Sequence, residues 1–380
     1  MRLAFVSNFL SGHQQPLCEA LSSALGADFR FIATTPVSKI RAQMGWPDCN
    51  SAPFVIRAYA DDKTYQNALE YVAAADAVIL GHDQDDSFFK AAIKQKHTIV
   101  YRCTERLYKR GRWRAISPRG LYHRWNTYFR YPRGNQYLLC SSAYAAKDYA
   151  LLGAFFNRSF KWGYFPQNKQ FDIEQALLYK HKGSIFWAGR MLDWKHPEIP
   201  VLIAKRLREK GIPFELDMAG DGPLLPHIQR LVQDEGLEKN VHLLGNLLPS
   251  QVRDHMRTSQ IFLATSDYQE GWGAVVNEAM SEGCAVVACK AMGAVPYLIQ
   301  TGVNGYSYGH MQTGTACLQA ERLLADETLR CRIARAAYHT IQNEWNAQCA
   351  AERLLRLSAA LRRGEGTCFS SGPCSKADLI

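Results

Sequence analysis

Short apolar runs alternate with helical stretches along the whole chain. In the first half, apolar runs bounded by polar or glycine residues predict strands at about 2–6, 29–34, 54–58, 77–81, 98–102 and 136–140. Apolar residues at helical spacing predict helices at about 14–25, 65–74 and 87–95, and Ser141-Ser142 predicts the N-cap of another. In the second half, strands are predicted at about 184–188, 214–219, 241–244, 261–264 and 285–289, with helices at about 197–210, 224–235, 250–257 and from Ala274. Strands that alternate with helices predict parallel α/β sheets.

The length of the chain predicts two domains, because 380 residues are too many for one small core. A polar stretch at about 167–183 separates a first domain, residues 1–166, from a second, residues 183–345. A helix at 346–363 is expected to return to the first domain, and the Gly/Ser/Cys-rich residues 364–380 are expected to form a loosely ordered tail. Two open α/β halves would leave a cleft at the carboxyl ends of their strands, where such sheets bind ligands.

Composition indicates a reduced, cytoplasmic globular enzyme. Hydrophobic residues make up 47% and charged residues 21% of the chain, and no apolar run approaches the ~20 residues that cross a bilayer. Residues 1–6 meet polar Ser7-Asn8 too soon for a secretion signal, so they are interpreted as a strand. The 11 cysteines include no Cys-x-x-Cys pair, which favours free thiols over a disulfide framework or a zinc site.

Most of the net charge of +10 lies in one segment, residues 102–133, which has ten basic residues and a single acid, Glu105. Seven aromatic residues are interleaved with them. This mixture suits an anionic membrane surface, with Arg110, Arg112, Trp113 and Arg114 as its contacts. It would also suit nucleic acid, or a solvated basic face whose aromatic rings pack inward. We favour the membrane surface and expect no nucleic-acid partner.

The most informative stretch is residues 265–300. A polar loop ends in Glu270-Gly271-Trp272-Gly273, a helix opens at Ala274, and Glu278 follows one turn in. A helix that begins on glycines offers bare backbone N–H groups and the positive end of its dipole to a phosphate. The carboxylates of Glu270 and Glu278, one on each side of this phosphate site, can accept hydrogen bonds from hydroxyls. The stretch therefore predicts a ligand with phosphate in the middle and hydroxyls at both ends, namely a nucleotide-sugar; the alternative is an ordinary helix start with solvated glutamates.

Arg190 and Lys195 directly follow the first strand of the second half. An arginine at the carboxyl end of a strand can bind two phosphate oxygens, and a lysine adds a point charge. Fixed cations of this kind stabilise a departing nucleoside diphosphate and can replace a divalent metal, so we expect neither metal nor cofactor. The alternative is a surface turn between a strand and a helix.

With the Gly-x-Gly before the helix and the strand after it, Glu270 and Glu278 resemble the Glu-x7-Glu signature of the retaining GT-B glycosyltransferases of family 4 (glycosyl transferases group 1), in their bacterial polysaccharide and capsule-assembly subgroup. Arg190 and Lys195 resemble the family's pyrophosphate-binding pair. The likeness extends through Ala219-Gly220-Asp221-Gly222-Pro223, Leu244-Gly245 and residues 302–306. It covers residues 183–310 well and the first domain only in pattern.

The resemblance implies a GT-B fold, in which two Rossmann-like α/β domains face each other across a cleft. It implies a metal-independent hexosyltransferase that moves a sugar from a nucleoside-diphosphate sugar, UDP-linked by family habit, to a hydroxyl of a glycan or lipid-linked acceptor in cell-surface glycan synthesis. The first domain would bind the acceptor, at the cytoplasmic face of the plasma membrane. Glu270 would hold sugar hydroxyls and Glu278 ribose hydroxyls. The remaining implied donor contacts are Gly271, Trp272, Gly273, Ala274, Gly220, Gly245 and Asn246.

Two departures from the family pattern bear on the site. The Gly-Gly-x-Pro-Glu loop of the family is Met292-Gly293-Ala294-Val295-Pro296-Tyr297 here, so its acid is absent. Glu105 stands near the slot where the family often has a histidine, and it is our catalytic candidate in the first domain; pairing with an arginine neighbour is the alternative. Gly12 and His13, after the first strand, and His82, after the strand at 77–81, are candidates for an acceptor or phosphate loop, although a histidine satisfied within its loop is an equal alternative.

Two other functions stay open from the residues alone. A GT-B-type nucleotide-sugar epimerase would bind the same donor but would need a placed acid/base pair and no membrane patch; release of nucleoside diphosphate only when acceptor is present would distinguish the transferase from it. The other alternative is a basic lipid- or nucleic-acid-binding protein with a degenerate site. Intact Glu270, Glu278, Arg190 and Lys195 argue against it, and donor binding that survived Lys195→Ala and Glu278→Ala unchanged would favour it.

Overall fold

A computed structural model describes residues 1–37, 48–81, 86–109, 117–118, 121–122, 125 and 135–380. Contacts within the chain divide it into two compact units. Unit 1 comprises Met1–Gln167 and Asn346–Ile380, and unit 2 comprises Asn168–Trp345.

Each unit is built on one parallel sheet. The strands of unit 1 are β1 Leu3–Ser7, β2 Phe29–Ala33, β3 Val55–Arg57, β4 Ala77–Leu80, β5 Ile99–Thr104, β6 Gln136–Cys140 and β7 Ser159–Lys161, in the order β3-β2-β1-β4-β5-β6-β7. Those of unit 2 are β8 Ser184–Ala188, β9 Glu215–Ala219, β10 Val241–Gly245, β11 Ile261–Ala264, β12 Ala285–Cys289 and β13 Tyr306–Tyr308, in the order β10-β9-β8-β11-β12-β13. The predicted parallel α/β class is confirmed.

Helices follow most of these strands. The helices that the structure describes in unit 1 before the second unit begins are α1 Gln15–Leu25, α2 Asp62–Ala73, α3 Asp86–Ala92 and α4 Ala145–Ala150. Unit 2 contains α5 Ile173–Leu178, α6 Glu198–Glu209, α7 Leu225–Asp234, α8 Pro249–Thr258, α9 Ala274–Ser281, α10 Val295–Leu298, α11 Thr313–Ala325 and α12 Glu327–Asn343. The last helix, α13 Ala347–Arg362, belongs to unit 1.

Several inner strands are buried at every position, as expected for parallel sheets that helices cover on both faces. All residues of β4, β11 and β12 are buried. In unit 2 the strand order reverses direction between β8 and β11, which are neighbours in the sheet. A reversal of this kind opens a crevice at the carboxyl ends of the strands. The loops after β8 and β11 are therefore the first place to look for a ligand site in this unit.

Helix α13 packs on unit 1 through polar and apolar contacts. The hydroxyl groups of Tyr101 and Ser358 lie 2.9 Å apart in the interior. At the end of the helix, Arg362 forms an ion pair of 2.9 Å with Asp76. These contacts hold a helix from the end of the chain against a sheet formed by its beginning.

The tail, expected to be loosely ordered, is instead attached to the edge strand β7. Lys161 N donates to Ser375 O at 2.7 Å, and Cys374 N donates to Lys161 O at 2.8 Å. Cys374 is fully buried and Ala377 is 6% exposed. The small apolar side chains fit against unit 1, while backbone hydrogen bonds satisfy the open edge of the sheet. Composition did not reveal this, because the partner strand lies some two hundred residues earlier.

Three local predictions also differ from the structure. Helix α4 begins at Ala145 with Tyr144 as N-cap, and Ser142 only accepts a 3.4 Å hydrogen bond from Tyr144 N. Strand β7 was not predicted, because it has three residues. Helix α5 lies in the stretch interpreted as a polar linker, where the Asp172 side chain caps it.

Lys180, in the same stretch, stabilises unit 2 from within. Its ammonium group, in a residue 8% exposed, lies 2.8 Å from Ser259 O, 3.0 Å from Glu282 O and 3.2 Å from both Met256 O and Arg257 O. These carbonyl groups lie at the C-terminal ends of α8 and α9, where backbone acceptors lack partners within the helix. Burial lowers the pKa of Lys180 from its ordinary value. One cation thus satisfies two helix ends.

We expect Lys180→Met to lower the free energy of unfolding by about 3 kcal/mol, because it leaves buried carbonyl groups without donors. Urea unfolding followed by tryptophan fluorescence would measure the change. Lys182→Met, at a neighbouring exposed lysine, is the matched control. Equal stability of the two variants would contradict this role of Lys180.

Candidate functional site

The loops at the carboxyl ends of β8, β9 and β10 are joined by backbone hydrogen bonds. Gly189 N donates to Ala219 O at 3.0 Å, and Gly220 N donates to Gly245 O at 2.7 Å. Gly220 has φ 137°, and a Cβ there would collide with the carbonyl oxygen of Gly189. Gly222 has φ 152°, and its Cβ would lie 2.6 Å from Met191 O. The glycines are thus required by the close approach of three loops, whose tight packing presents backbone at this edge of the sheet.

This edge is completed by Gly245, the last residue of β10, and by Asn246, which follows it. Gly245 takes the left-handed conformation with φ 67°, and a Cβ at this position would have no neighbouring atom within 4 Å. Asn246 is exposed directly after it. The backbone turn and the exposed amide side chain are therefore accessible to a ligand at the sheet edge.

Arg190 and Lys195 lie on the loop after β8. Arg190 is exposed, and within the part of the chain that the structure describes no hydrogen bond or ion pair engages its guanidinium group. Lys195 ends a short 3-10 turn, Asp193–Lys195, with its ammonium group 4.5 Å from the centre of the Trp194 ring. Its backbone oxygen accepts a 2.6 Å hydrogen bond from Thr265 Oγ1. The turn is therefore anchored to the end of β11.

Glu270 lies on the loop after β11, and its carboxylate forms an ion pair with Lys195. Both side chains are 16% exposed. The loop is held by Asp267, whose backbone N donates to Trp194 O at 2.9 Å and whose backbone O accepts from Glu270 N at 3.1 Å. The structure thus brings together a predicted phosphate-binding cation and a predicted sugar-binding carboxylate from opposite sides of the strand reversal.

The N-terminus of α9 adjoins this pair. Gly273, the N-cap, has φ 93° and ψ 62°, and a Cβ there would lie 2.5 Å from Met292 Cε. No described side chain caps the helix, and its first turn contains no acid. In contrast, Asp326 caps α12. An uncapped helix start leaves backbone N–H groups and a partial positive charge available to an anion.

Three predicted donor contacts lie in and around α9. Gly271 is buried, Ala274 begins the helix, and Glu278 is half-buried one turn later. The predicted anion site between Glu270 and Glu278 therefore falls on the N-terminal turn of α9, and its role stays a prediction.

The Trp272 side chain has a structural role. The residue has no exposed surface, and its indole Nε1 donates to Asn277 Oδ1 at 2.8 Å. Its ring lies 6.2 Å from Tyr297 and 6.0 Å from Trp345, between ring centres. Only the backbone of Trp272 remains for contact with a donor. This packing depends on residues far apart in the sequence, so the local motif did not indicate it.

In unit 1, four polar side chains meet at the carboxyl edge of the sheet. The His13 and Tyr164 rings lie parallel, 6.4 Å apart, and Tyr164 Oη donates to Glu105 Oε1 at 2.7 Å. Glu105 also pairs with Lys109, a lysine rather than the arginine considered above. Gly12 precedes His13 in open space, where a Cβ would have no neighbouring atom within 4 Å. Tyr164 was missed because it follows the unpredicted strand β7; the aromatic run after that strand was the available signal.

Other predicted residues lie outside the described ranges. These are His82 in one gap and Arg110, Arg112, Trp113 and Arg114 in another. Among the residues that are described, no three His, Cys, Asp or Glu side chains are grouped so that they could hold a metal ion. None of the described helices is both long and apolar enough to cross a membrane.

Residues 168–340 match the family described as Glycosyl transferases group 1. The chain carries a glycosyl transferases group 1 domain. It is similar to the alpha-D-kanosaminyltransferase of Streptomyces kanamyceticus, with 27% identity over 45% of this chain and 44% of the relative. It is also similar to the amylovoran biosynthesis glycosyltransferase AmsK of Erwinia amylovora, with 26% identity over 52% of this chain and 49% of the relative. The matched part of the chain spans less than half the length of either relative.

The fold is that of GT-B glycosyltransferases, with two parallel-sheet α/β domains. The structure of Anabaena HepE in complex with UDP matches 94% of this chain and 99% of its own, with a TM-score of 0.66 and 16% sequence identity. The group 1 domain corresponds closely to unit 2, which contains Arg190, Lys195, Glu270 and Glu278. The residues that match the family therefore include the candidate site.

Proposed function

We propose that this protein is a retaining, metal-independent glycosyltransferase of family 4 type. It transfers a hexose from a UDP-linked donor to a hydroxyl of a glycan or lipid-linked acceptor. The observation that carries the proposal is the meeting, at one edge of the unit 2 sheet, of the Lys195–Glu270 pair with the uncapped start of α9. A cation, a carboxylate and bare N–H groups together fit a diphosphate joined to a sugar.

The donor would bind along this edge with its diphosphate at the start of α9. Arg190 and Lys195 would contact the phosphate oxygens, and the backbone of residues 271–274 would donate N–H groups to them. Glu278 would accept hydrogen bonds from the ribose and Glu270 from the transferred sugar. Gly220, Gly245 and Asn246 would border the base, because β9 and β10 end on the far side of β8.

A donor would compete with Glu270 for Lys195, because the structure shows the two side chains as an ion pair. A diphosphate competes for the ammonium group of Lys195, and its arrival frees the Glu270 carboxylate to accept hydroxyl protons of the sugar. The sugar-binding group would thus become available only when the phosphate site is filled. This order favours binding of the intact donor over binding of a free sugar.

The transfer step forms a bond between the acceptor oxygen and the anomeric carbon and breaks the bond between that carbon and the phosphate oxygen. Both electrons of the broken bond go to UDP, whose growing charge Arg190, Lys195 and the α9 dipole stabilise. In a front-side reaction the acceptor proton passes to a phosphate oxygen of the departing UDP. In unit 1, Glu105 and the Gly12–His13 loop would bind the acceptor, with Glu105 held by Tyr164 and Lys109.

The proposed donor and pathway draw on the relatives. HepE is described in complex with UDP, and AmsK is named for amylovoran biosynthesis. By likeness to them we propose a UDP-linked donor and a role in bacterial polysaccharide synthesis. From the basic segment at 102–133 we further propose that the protein acts in cell-surface glycan synthesis at the cytoplasmic membrane face.

The function is tested by incubating the full chain with a panel of UDP-sugars, with and without candidate lipid-linked acceptors, and measuring released UDP. We expect release that depends on acceptor, survives EDTA and yields a product with the donor's anomeric configuration by NMR. Conversion of a UDP-sugar to its epimer, without acceptor-dependent release of UDP, would instead favour the epimerase. Loss of activity in EDTA that added metal restores would contradict metal independence.

Membrane binding is expected to depend on the basic segment. Exposed aromatic side chains lie within it, with Tyr122 72% and Trp125 63% exposed. Replacing Arg110, Arg112 and Arg114 with glutamine should weaken binding to anionic liposomes by about 1 kcal/mol per charge, measured by co-sedimentation. Replacing Arg206, Arg208 and Lys210 in unit 2 gives a control of equal charge change. Equal liposome binding by both triple variants would contradict a membrane role for the segment.

A further inference from the structure

His196, the residue after Lys195, takes a backbone conformation that usually favours glycine or asparagine. Its φ is 51° and its ψ is 56°, in the left-handed region. A non-glycine residue there costs about 1 kcal/mol, so such a residue persists where its surroundings hold it in place. The contacts of the imidazole ring show what holds it.

The ring lies between two carboxylates from different elements. Nδ1 is 2.8 Å from Glu198 Oε1, at the start of α6. Nε2 is buried, forms no hydrogen bond with the described residues, and lies at ion-pair distance, 3.6 Å, from Asp267 Oδ2 on the loop after β11. Asp267 is 5% exposed, and its other carboxylate oxygen accepts a 2.7 Å hydrogen bond from Gln269 N. The imidazole therefore joins the Lys195 turn to the loop that carries Glu270.

Three other ionisable side chains of the described residues lie close to this position, namely His310, Lys195 and Tyr308. The exposed His310 ring, after β13, lies 5.7 Å from the His196 ring between centres. The adjacent Lys195 is paired with Glu270. Tyr308 of β13 lies near Glu198, and burial raises the pKa of its phenol well above the ordinary value, so it stays neutral.

The two carboxylates favour the protonated ring. The hydrogen bond with Glu198 raises the pKa of His196 above its ordinary value, against the opposing effect of burial, and Asp267 adds to the rise. Only the protonated ring carries hydrogen on both nitrogens. When the ring is neutral and Nδ1 donates to Glu198, the lone pair of Nε2 faces the Asp267 carboxylate. The attraction between the ring and Asp267 is then lost, and the Lys195 turn keeps its hydrogen bonds from Asp267 N to Trp194 O and from Thr265 Oγ1 to Lys195 O.

We propose that His196 is a positioning residue for the donor site, whose protonated ring ties the Lys195 turn to the Glu270 loop through Asp267. The inference rests on the proposed function, because it assigns His196 to the phosphate-binding edge. It makes donor binding dependent on pH through a group that touches neither phosphate nor sugar.

The test compares UDP binding by the full chain and by His196→Asn at several pH values, using isothermal titration calorimetry. Asparagine tolerates the left-handed conformation but does not titrate. The quantity compared is the ratio of the UDP affinity of the unsubstituted protein to that of His196→Asn. This ratio should fall about tenfold between about pH 6 and about pH 9, as the ring loses its proton. The ionisation of UDP itself cancels in this ratio. Asp267→Asn should remove the same dependence.

A matched control is His242→Asn, which removes an exposed histidine paired with Glu215 at 2.9 Å on the β9–β10 pair. In this variant the UDP affinity should depend on pH as it does in the unsubstituted protein. An affinity ratio between the unsubstituted protein and His196→Asn that is constant with pH would overturn the proposal.

A second readout needs no ligand. Because the folded-state pKa is raised, His196 stabilises the fold below its ordinary pKa, and this stability is lost as the pH rises through the folded-state value. The difference in Tm between the unsubstituted protein and His196→Asn should therefore shrink with rising pH, and a constant difference would count against the link. If no form binds UDP at any pH while this difference shrinks, the donor assignment fails and the link itself stands.

Discussion

Glu270→Gln is expected to reduce sugar transfer about 100-fold while leaving binding of free UDP unchanged or tighter. The reason is the ion pair between Glu270 and Lys195. Glutamine removes the charge that competes with phosphate for the ammonium group, so free UDP loses nothing. The donor sugar loses its charged hydrogen-bond acceptor. The measurements are UDP affinity by calorimetry and turnover from released UDP.

Glu278→Gln is the matched comparison. Glu278 is the second glutamate of the Glu-x7-Glu signature and is half-buried on α9. Its proposed partner is the ribose of the donor. It should weaken UDP binding about tenfold, because a hydrogen bond to a charged group contributes about 1.5–3 kcal/mol. If both substitutions weakened UDP binding equally, the assignment of sugar to Glu270 and ribose to Glu278 would be wrong.

Lys195→Ala is expected to weaken UDP binding about 100-fold, more than removal of a simple surface cation would. The substitution deletes a phosphate contact and also leaves the Glu270 carboxylate, 16% exposed, without its partner beside the incoming phosphate. Truncating one member of a partly buried charge pair costs about 2–5 kcal/mol, much of it from the stranded charge. Calorimetry with UDP measures the loss.

The double variant Lys195→Ala/Glu270→Gln separates the two contributions. With the stranded charge removed, UDP affinity should recover about tenfold relative to Lys195→Ala. Arg190→Ala, at an exposed residue, should weaken UDP binding without any such rescue by Glu270→Gln. Additive effects of Lys195→Ala and Glu270→Gln would show that the ion pair does not influence donor binding.

The local chemistry of the site could be predicted because its residues follow strands in the sequence. Gly189-Arg190 follows β8, and Glu270 to Ala274 follow β11. Parallel strands place such loops at one edge, so pattern and spacing were sufficient to group them. The direct pairing of Lys195 with Glu270 could not be read from the sequence, because it depends on how β8 and β11 lie side by side in the sheet.

The features that the sequence did not reveal depend on packing between distant segments. The Trp272 indole packs against Trp345, and the tail adds to β7. The buried ammonium group of Lys180 satisfies two helix ends. The left-handed turn at His196 is set by partners on α6 and after β11. In each case the residue type is known from the sequence, but the role of the residue depends on a distant neighbour that hydrophobic periodicity cannot locate.

We propose that unit 2 binds a sugar-linked diphosphate between the start of α9 and the cations after β8. A crystal structure of the full chain with UDP is the decisive experiment. It should show the diphosphate within hydrogen-bond distance of the backbone N–H groups near Gly273 and Ala274, with the Lys195 ammonium group turned from Glu270 to a phosphate oxygen. UDP bound at any other place, with the Lys195–Glu270 pair unchanged, would contradict the claim.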